Sequence, residues 1–153
     1  MGRGHLSRLL LLGIALAVAA PAAAASTVPF RVAAHRMSAG APAARPFAIP
    51  GTSAVSGHRI VLRVTPAVAL PVLRANFRTQ IVIGVFGPFG CKDGRVRVAR
   101  VTQTARMLVM HLSLEPLAPG AMECQAIYET ARVLVVSRAA LHGTPTKATV
   151  AGP

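Results

Sequence analysis

Beyond an N-terminal leader, the sequence predicts an all-β, mainly antiparallel domain, a small sandwich or partly open barrel with at most one short helix. Two observations predict it. About six short runs rich in Val, Ile, Leu and Met recur along the chain, most of them alternating apolar with polar residues. Between them stand turn signals: Gly87-Pro88, Asp93-Gly94, Pro116, Pro119-Gly120 and Gly143-Thr144-Pro145. Neither a heptad run, a long internal repeat nor a phosphate-binding glycine loop competes with that reading.

The chain opens with MGRGHLSR, then LLLLGIALAVAAPAAAA, then Ser26. Two arginines, an apolar run and an Ala-x-Ala ending are the three parts of a secretory signal peptide, predicted over residues 1–25. The run is short for a bilayer span, and no later one approaches it. Cleavage after Ala25 leaves 128 of the 153 residues, one domain's worth with its own core. It also removes Arg3 and Arg8, so that 15 of the 17 basic residues face 4 acids, a formal +11. Fifteen of the 17 are Arg, in a chain rich in Ala, Gly and Pro, as a GC-rich bacterial genome encodes. Such a field attracts polyanions whatever its origin.

Residues 26–37 read as an N-terminal strand segment, with "TVPFRVAA" as its strand, and residues 38–50, SAGAPAARPFAIP, as an aperiodic connector. The β-rich domain proper runs over 51–153, so that 26–153 forms one folded unit. "RIVLRV" alternates, with Ile60, Leu62 and Val64 on one face and Arg59 and Arg63 on the other, which predicts a half-buried strand. The one helix is predicted around "AVALPVLRANF", interrupted by Pro71. "QIVIGVF", Gln80 to Phe86, is apolar on both faces and predicts a strand covered on two sides. "RVRVARV" slips phase at Arg100 and Val101, the mark of a bulge. "RMLVMHLSLE" sets Leu108, Met110, Leu112 and Leu114 on one face, "ARVLVVSR" is a further strand, and "TKATV" closes the sheet.

Cys91 and Cys124 are the chain's two cysteines, and export favours their pairing as a disulfide. A metal site or a reactive thiol is the competing reading. Metal would need three or four ligands at short spacing, and no C-x-x-C or H-x-x-x-H occurs. No cofactor-binding motif is present either, and Asp93 and Gly94 are read as a hairpin turn.

Chemistry-bearing residues are sparse. A Ser-His-Asp arrangement would have to use Asp93 with His35, His58, His111 or His142, and no G-x-S-x-G elbow exists. A glycosidase pair would come from Glu115, Glu123 and Glu129, all expected in or beside loops as solvated carboxylates. The expectation is therefore no catalytic centre, with an uncharacterised hydrolase as the last alternative. Arg59 and Arg63 share one predicted strand face and Arg95 and Arg97 another; in a single sheet the four would form a basic stripe for an anionic polymer. One Tyr and no Trp argue against nucleic acid.

From Phe30 to about Val150 the order of features resembles the bacterial PrcB-like family, named for a lipoprotein subunit that binds and stabilises a surface protease. "PFRVAA", "NFRTQIVIGVFG", "RMLVMHLSLEPLAPG" and "CQAIYETARVLVV" carry the resemblance. Val85, Phe86 and Gly87 fit the family's F-x-G strand end; Pro119, Gly120, Gln125, Ala126 and Ile127 fit its later Pro-Gly loop and following strand. The family's Thr-Gly-Gly-Tyr corner is replaced by Cys91, Lys92, Asp93 and Gly94, its second Thr by Cys124, and its lipid-anchor Cys is missing. The resemblance implies a β-rich fold and an extracytoplasmic protein partner such as an exported protease. The resulting expectation is a secreted, non-enzymatic protein-interaction module, the alternative being an electrostatic binder of anionic cell-surface polymers.

Overall fold

The computed structural model describes residues 24–37, 43–122, 126 and 128–152. Nearly all of the predicted signal peptide lies outside the described residues, as do residues 38–42 of the connector and Cys124. The protein is mostly strands in two four-stranded sheets. Sheet I has the order β1 (Ser26–Thr27), β5 (Val96–Thr104), β6 (Met107–Leu114) and β8 (Lys147–Ala151). Sheet II has the order β2 (Arg31–Met37), β7 (Thr130–Ser137), β4 (Gln80–Gly87) and β3 (Phe47–Gly51). Every pairing is antiparallel except β6 with β8.

Period-two patterning sets the core between the sheets. Ile81, Ile83 and Val85 of β4 and Leu134 and Val136 of β7 meet Val96, Val101, Leu108, Met110 and Leu112 of sheet I. The other faces of β4 and β7 are apolar too. Val82, Phe86, Ala131 and Val133 pack beneath two helices, α1 (Ala54–Val61) and α2 (Pro66–Leu73). This second apolar layer is why "QIVIGVF" carries no polar face. The expected bulge is present between Val98 and Arg100, and β8 closes sheet I as expected.

The structure corrects four expectations. The predicted strand over Arg59–Val64 is instead α1 and the turn after it. Ser53 starts the helix with a capping box: its Oγ accepts from Ser56 N, while Ser56 Oγ accepts from Ser53 N. Gly57, Ile60 and Val64 are then buried at helical spacing, while Leu62, expected inward, is 72% exposed. With α2 and two short 3-10 helices, Gly90–Arg95 and Arg138–Ala140, helix content exceeds the single helix expected. Pro71 sits inside α2. The connector is shorter than expected, because Phe47–Gly51 is an edge strand in which Pro50 pairs in register with Ile83. Finally, "TVPFRVAA" divides between the sheets, β1 ending before buried Val28 and β2 beginning at Arg31.

Candidate functional site

β7 carries Thr130, Arg132, Leu134 and Val136 on one face, and that face looks into the space between the sheets. A charged side chain has thus been written into a core-facing position. Its residue is 3% exposed. Burial depresses the Arg132 guanidinium below the ordinary arginine value, and the adjacent Asp93 only partly restores it.

The partner arrives on the corner between β4 and β5. Asp93-Gly94 forms no hairpin turn, because the two flanking strands belong to different sheets and the 3-10 helix Gly90–Arg95 carries the chain across. Gly90, at φ 51, supplies the left-handed residue; Gly94 is outside that region. Asp93 Oδ1 accepts from Arg132 Nη2 at 2.7 Å and from Thr130 Oγ1 at 2.5 Å. Arg132 Nη2 also donates to the carbonyls of Asp93 and Val96, both at 2.8 Å. Directly across the ladder from Arg132 stands His35 of β2, whose Nε2 donates to Asp93 Oδ2. Beneath the guanidinium, 5.2 Å from its carbon, lies the Phe89 ring. That ring can sit there because Gly87 has no side chain: a Cβ would stand 2.3 Å from Phe89 Cζ. Arg132 Nη1 is buried without a hydrogen-bond partner.

Above this cluster the sheets part. Val32, His35, Val96, Arg97 and Val98 line a cleft of about 340 Å3, with Asp93 and Arg132 at its more buried side. β2 is an edge of sheet II. On the sheet I side, β1 pairs β5 only at Thr102 and Gln103, and Val28 N donates to Val101 O. From Val96 to Arg100 that side of β5 has no strand partner among the described residues. Two open strand edges therefore flank the cleft. Both are bulged, β2 between Val32 and Ala34 and β5 between Val98 and Arg100, and Arg31, Arg36, Arg97 and Arg100 are exposed along them. Bulges and like charges of this kind oppose the addition of a second copy at such edges.

The predicted four-arginine stripe does not exist. Arg59 and Arg63 belong to the helical layer outside sheet II, whereas Arg97 is on sheet I and Arg95 ends the 3-10 helix. Arg63 stacks 4.9 Å from the Phe47 ring centroid and 5.6 Å from that of Phe86, with Nη2 3.9 Å from Glu129 Oε1. Arg97 is paired with Glu115, and Arg95 Nη1 donates to the Glu115 carbonyl at 2.6 Å. Glu129, expected to be solvated, is buried, with its Oε2 accepting from Ala43 N at 3.1 Å. His111 is half-buried, its Nε2 2.9 Å from Thr102 Oγ1. Cys91 lies on the 3-10 helix two residues before Asp93, and no free cysteine occurs among the described residues. Sequence reading offered His35 only as one of four histidines that Asp93 could orient, and missed Arg132 altogether. The legible signal was an Arg in phase with Leu134 and Val136 in a run otherwise apolar.

Compared with protein-family models, with curated proteins and with solved structures, the chain matches none. Among the described residues no helix is long and apolar enough to cross a membrane.

Proposed function

We propose that this chain is a secreted, non-enzymatic protein-interaction module that receives an extended acidic segment of an extracytoplasmic partner in the cleft between β2 and β5. The observation that carries the reading is the stretch of β5 from Arg97 to Arg100 beside that cleft, which has no strand partner on that side among the described residues. An added strand would pair the open side of β5 from Arg97 to Arg100, Val96 being held already by Arg132 and the 3-10 helix, and the exposed Arg100 would pair with an acid on the incoming segment. The resemblance to the PrcB-like family supports the same class of function and suggests an exported protease as the partner. The second reading, a binder of anionic surface polymers, is favoured by one fact: no acid occurs before Asp93.

The experiment is capture from the producer's culture fluid with wild-type protein, V32E, R100E and, as a charge-matched control on the distant β8, K147E. One protein is expected to be retained in stoichiometric amount by wild type and K147E through a ~0.5 M salt wash, and lost with V32E and R100E. Retention by wild type and all three variants alike would reject the cleft.

Within the same reading, Cys91 and Cys124 form a disulfide that ties the Asp93 corner to the segment leading into β7. Closing about 34 residues, it would stabilise the fold by roughly 4 kcal/mol in the chain-entropy model. Alkylation without reductant is expected to leave the intact mass unchanged; addition of two alkyl groups would refute the bridge.

A further inference from the structure

α1 and α2 form a layer whose inner side is fully accounted for: Ile60, Val64, Val68, Ala69 and Val72 pack on Val82, Phe86, Ala131 and Val133. Its outer side is unusual for a surface facing water. Val55 is 84% exposed and Leu62 72%, seven residues and two helical turns apart on one face of α1. On α2, Leu70 is 45% and Leu73 65% exposed, one turn apart. Exposed His58 and Arg59 lie between the first pair, and exposed Arg74 and Arg78 follow the second. A single exposed leucine means little. Four large aliphatic side chains on one two-helix layer, interspersed with arginines, are a combination to be explained.

Charge narrows the explanation. No Asp or Glu occurs from Met1 to Lys92, so neither helix nor their connections supply an acid. Among the described residues, the carboxylate beside the layer is Glu129, which is buried and lies 3.9 Å from the Arg63 guanidinium. A dissolved polyanion would engage the arginines and leave the aliphatic side chains in water. A bilayer surface of anionic lipid engages both: leucines enter the acyl boundary while long arginine side chains reach back to the phosphates.

We propose that the outer face of the α1–α2 layer docks peripherally on an anionic bilayer surface, with Val55, Leu62, Leu70 and Leu73 inserted at the headgroup boundary and Arg59, Arg74 and Arg78 contacting lipid phosphates. This face lies on the helix side of sheet II, where Leu70 and Arg74 border Arg31 of β2, whereas the β2–β5 cleft opens beside Val32 and His35 between the sheets.

The test is co-sedimentation with vesicles of phosphatidylcholine alone and of phosphatidylcholine mixed with phosphatidylglycerol, using protein recovered from the medium of an expressing bacterium. Wild-type protein and K147E are expected to sediment with the mixed vesicles and to stay in solution with phosphatidylcholine alone. L62E/L73E should lower the partition coefficient by roughly tenfold or more, and R59A/R74A by about tenfold. All four changed side chains are exposed, and a circular-dichroism melt matching wild type confirms that each variant is folded. No sedimentation, equal sedimentation with both vesicle types, or binding unchanged in L62E/L73E would overturn the proposal. The last outcome would leave the arginines as a site for soluble polyanions only.

Discussion

Asp93→Ala is expected to destabilise the protein by about 3–5 kcal/mol, a fall in melting temperature of roughly 10–20 °C. The loss comes less from the ion pair than from what remains. Arg132 would stay 3% exposed, its Nη1 already without a partner, its Nη2 left with two backbone carbonyls and no negative charge. Thr130 Oγ1 and His35 Nε2 would lose their acceptor at the same time. Asp93→Ala/Arg132→Met is expected to recover most of the loss, since a flexible apolar side chain beside Phe89 needs no counter-charge. Urea unfolding of the two variants measures both quantities. If Asp93→Ala alone falls within about 1 kcal/mol of wild type, the corner is not the anchor described above.

Phe86→Ala is expected to cost a similar amount, about 3–5 kcal/mol. The ring is fully buried and stacks on Phe47 with centroids 5.0 Å apart and planes at 14°. It is also held against bare backbone, for a Cβ on Gly84 would stand 2.7 Å from Phe86 Cε2. Removing the ring opens a cavity beneath α1 and takes away one of the two faces on which the Arg63 guanidinium rests. Phe47→Ala should cost clearly less, because Phe47 is half-buried on an edge strand and its space is open to water. Equal losses for the two would mean that the stacked pair, not burial, governs this region.

The contrast between these two regions explains what could be read from the chain. β4, β6, β7 and the bulged β5 were legible because local alternation and burial coincide there; "QIVIGVF" even announced its second covering layer. α1 was misread because residues 60, 61, 62 and 64 are all apolar and satisfy both a period of two and one of 3.6. The deciding signal lay upstream, in the Ser53 and Ser56 capping box and the buried Gly57. Pro50 masked β3, since a proline in a strand is tolerated only where an edge leaves its missing N–H without consequence. The arginine stripe failed for a different reason. It required Arg59, Arg63, Arg95 and Arg97 to share a sheet, and strand order is set by long-range packing that no local pattern encodes. Of the Asp93 corner, Asp93 is legible as a turn residue and His35 only as one of four histidines it could orient, while Arg132 is not; the β2–β7 register and the crossing between sheets bring both to Asp93.

The central claim, that a partner adds to the open edge of β5, is tested most directly by backbone hydrogen exchange on the captured complex. Amides within Arg97–Arg100 and along β2 are expected to become protected when the partner is bound, while those of β8, on the far side of sheet I, keep their free-state rates. Protection on β8 or on the helices, with Arg97–Arg100 exchanging as in the free protein, would contradict the account and place the interface elsewhere.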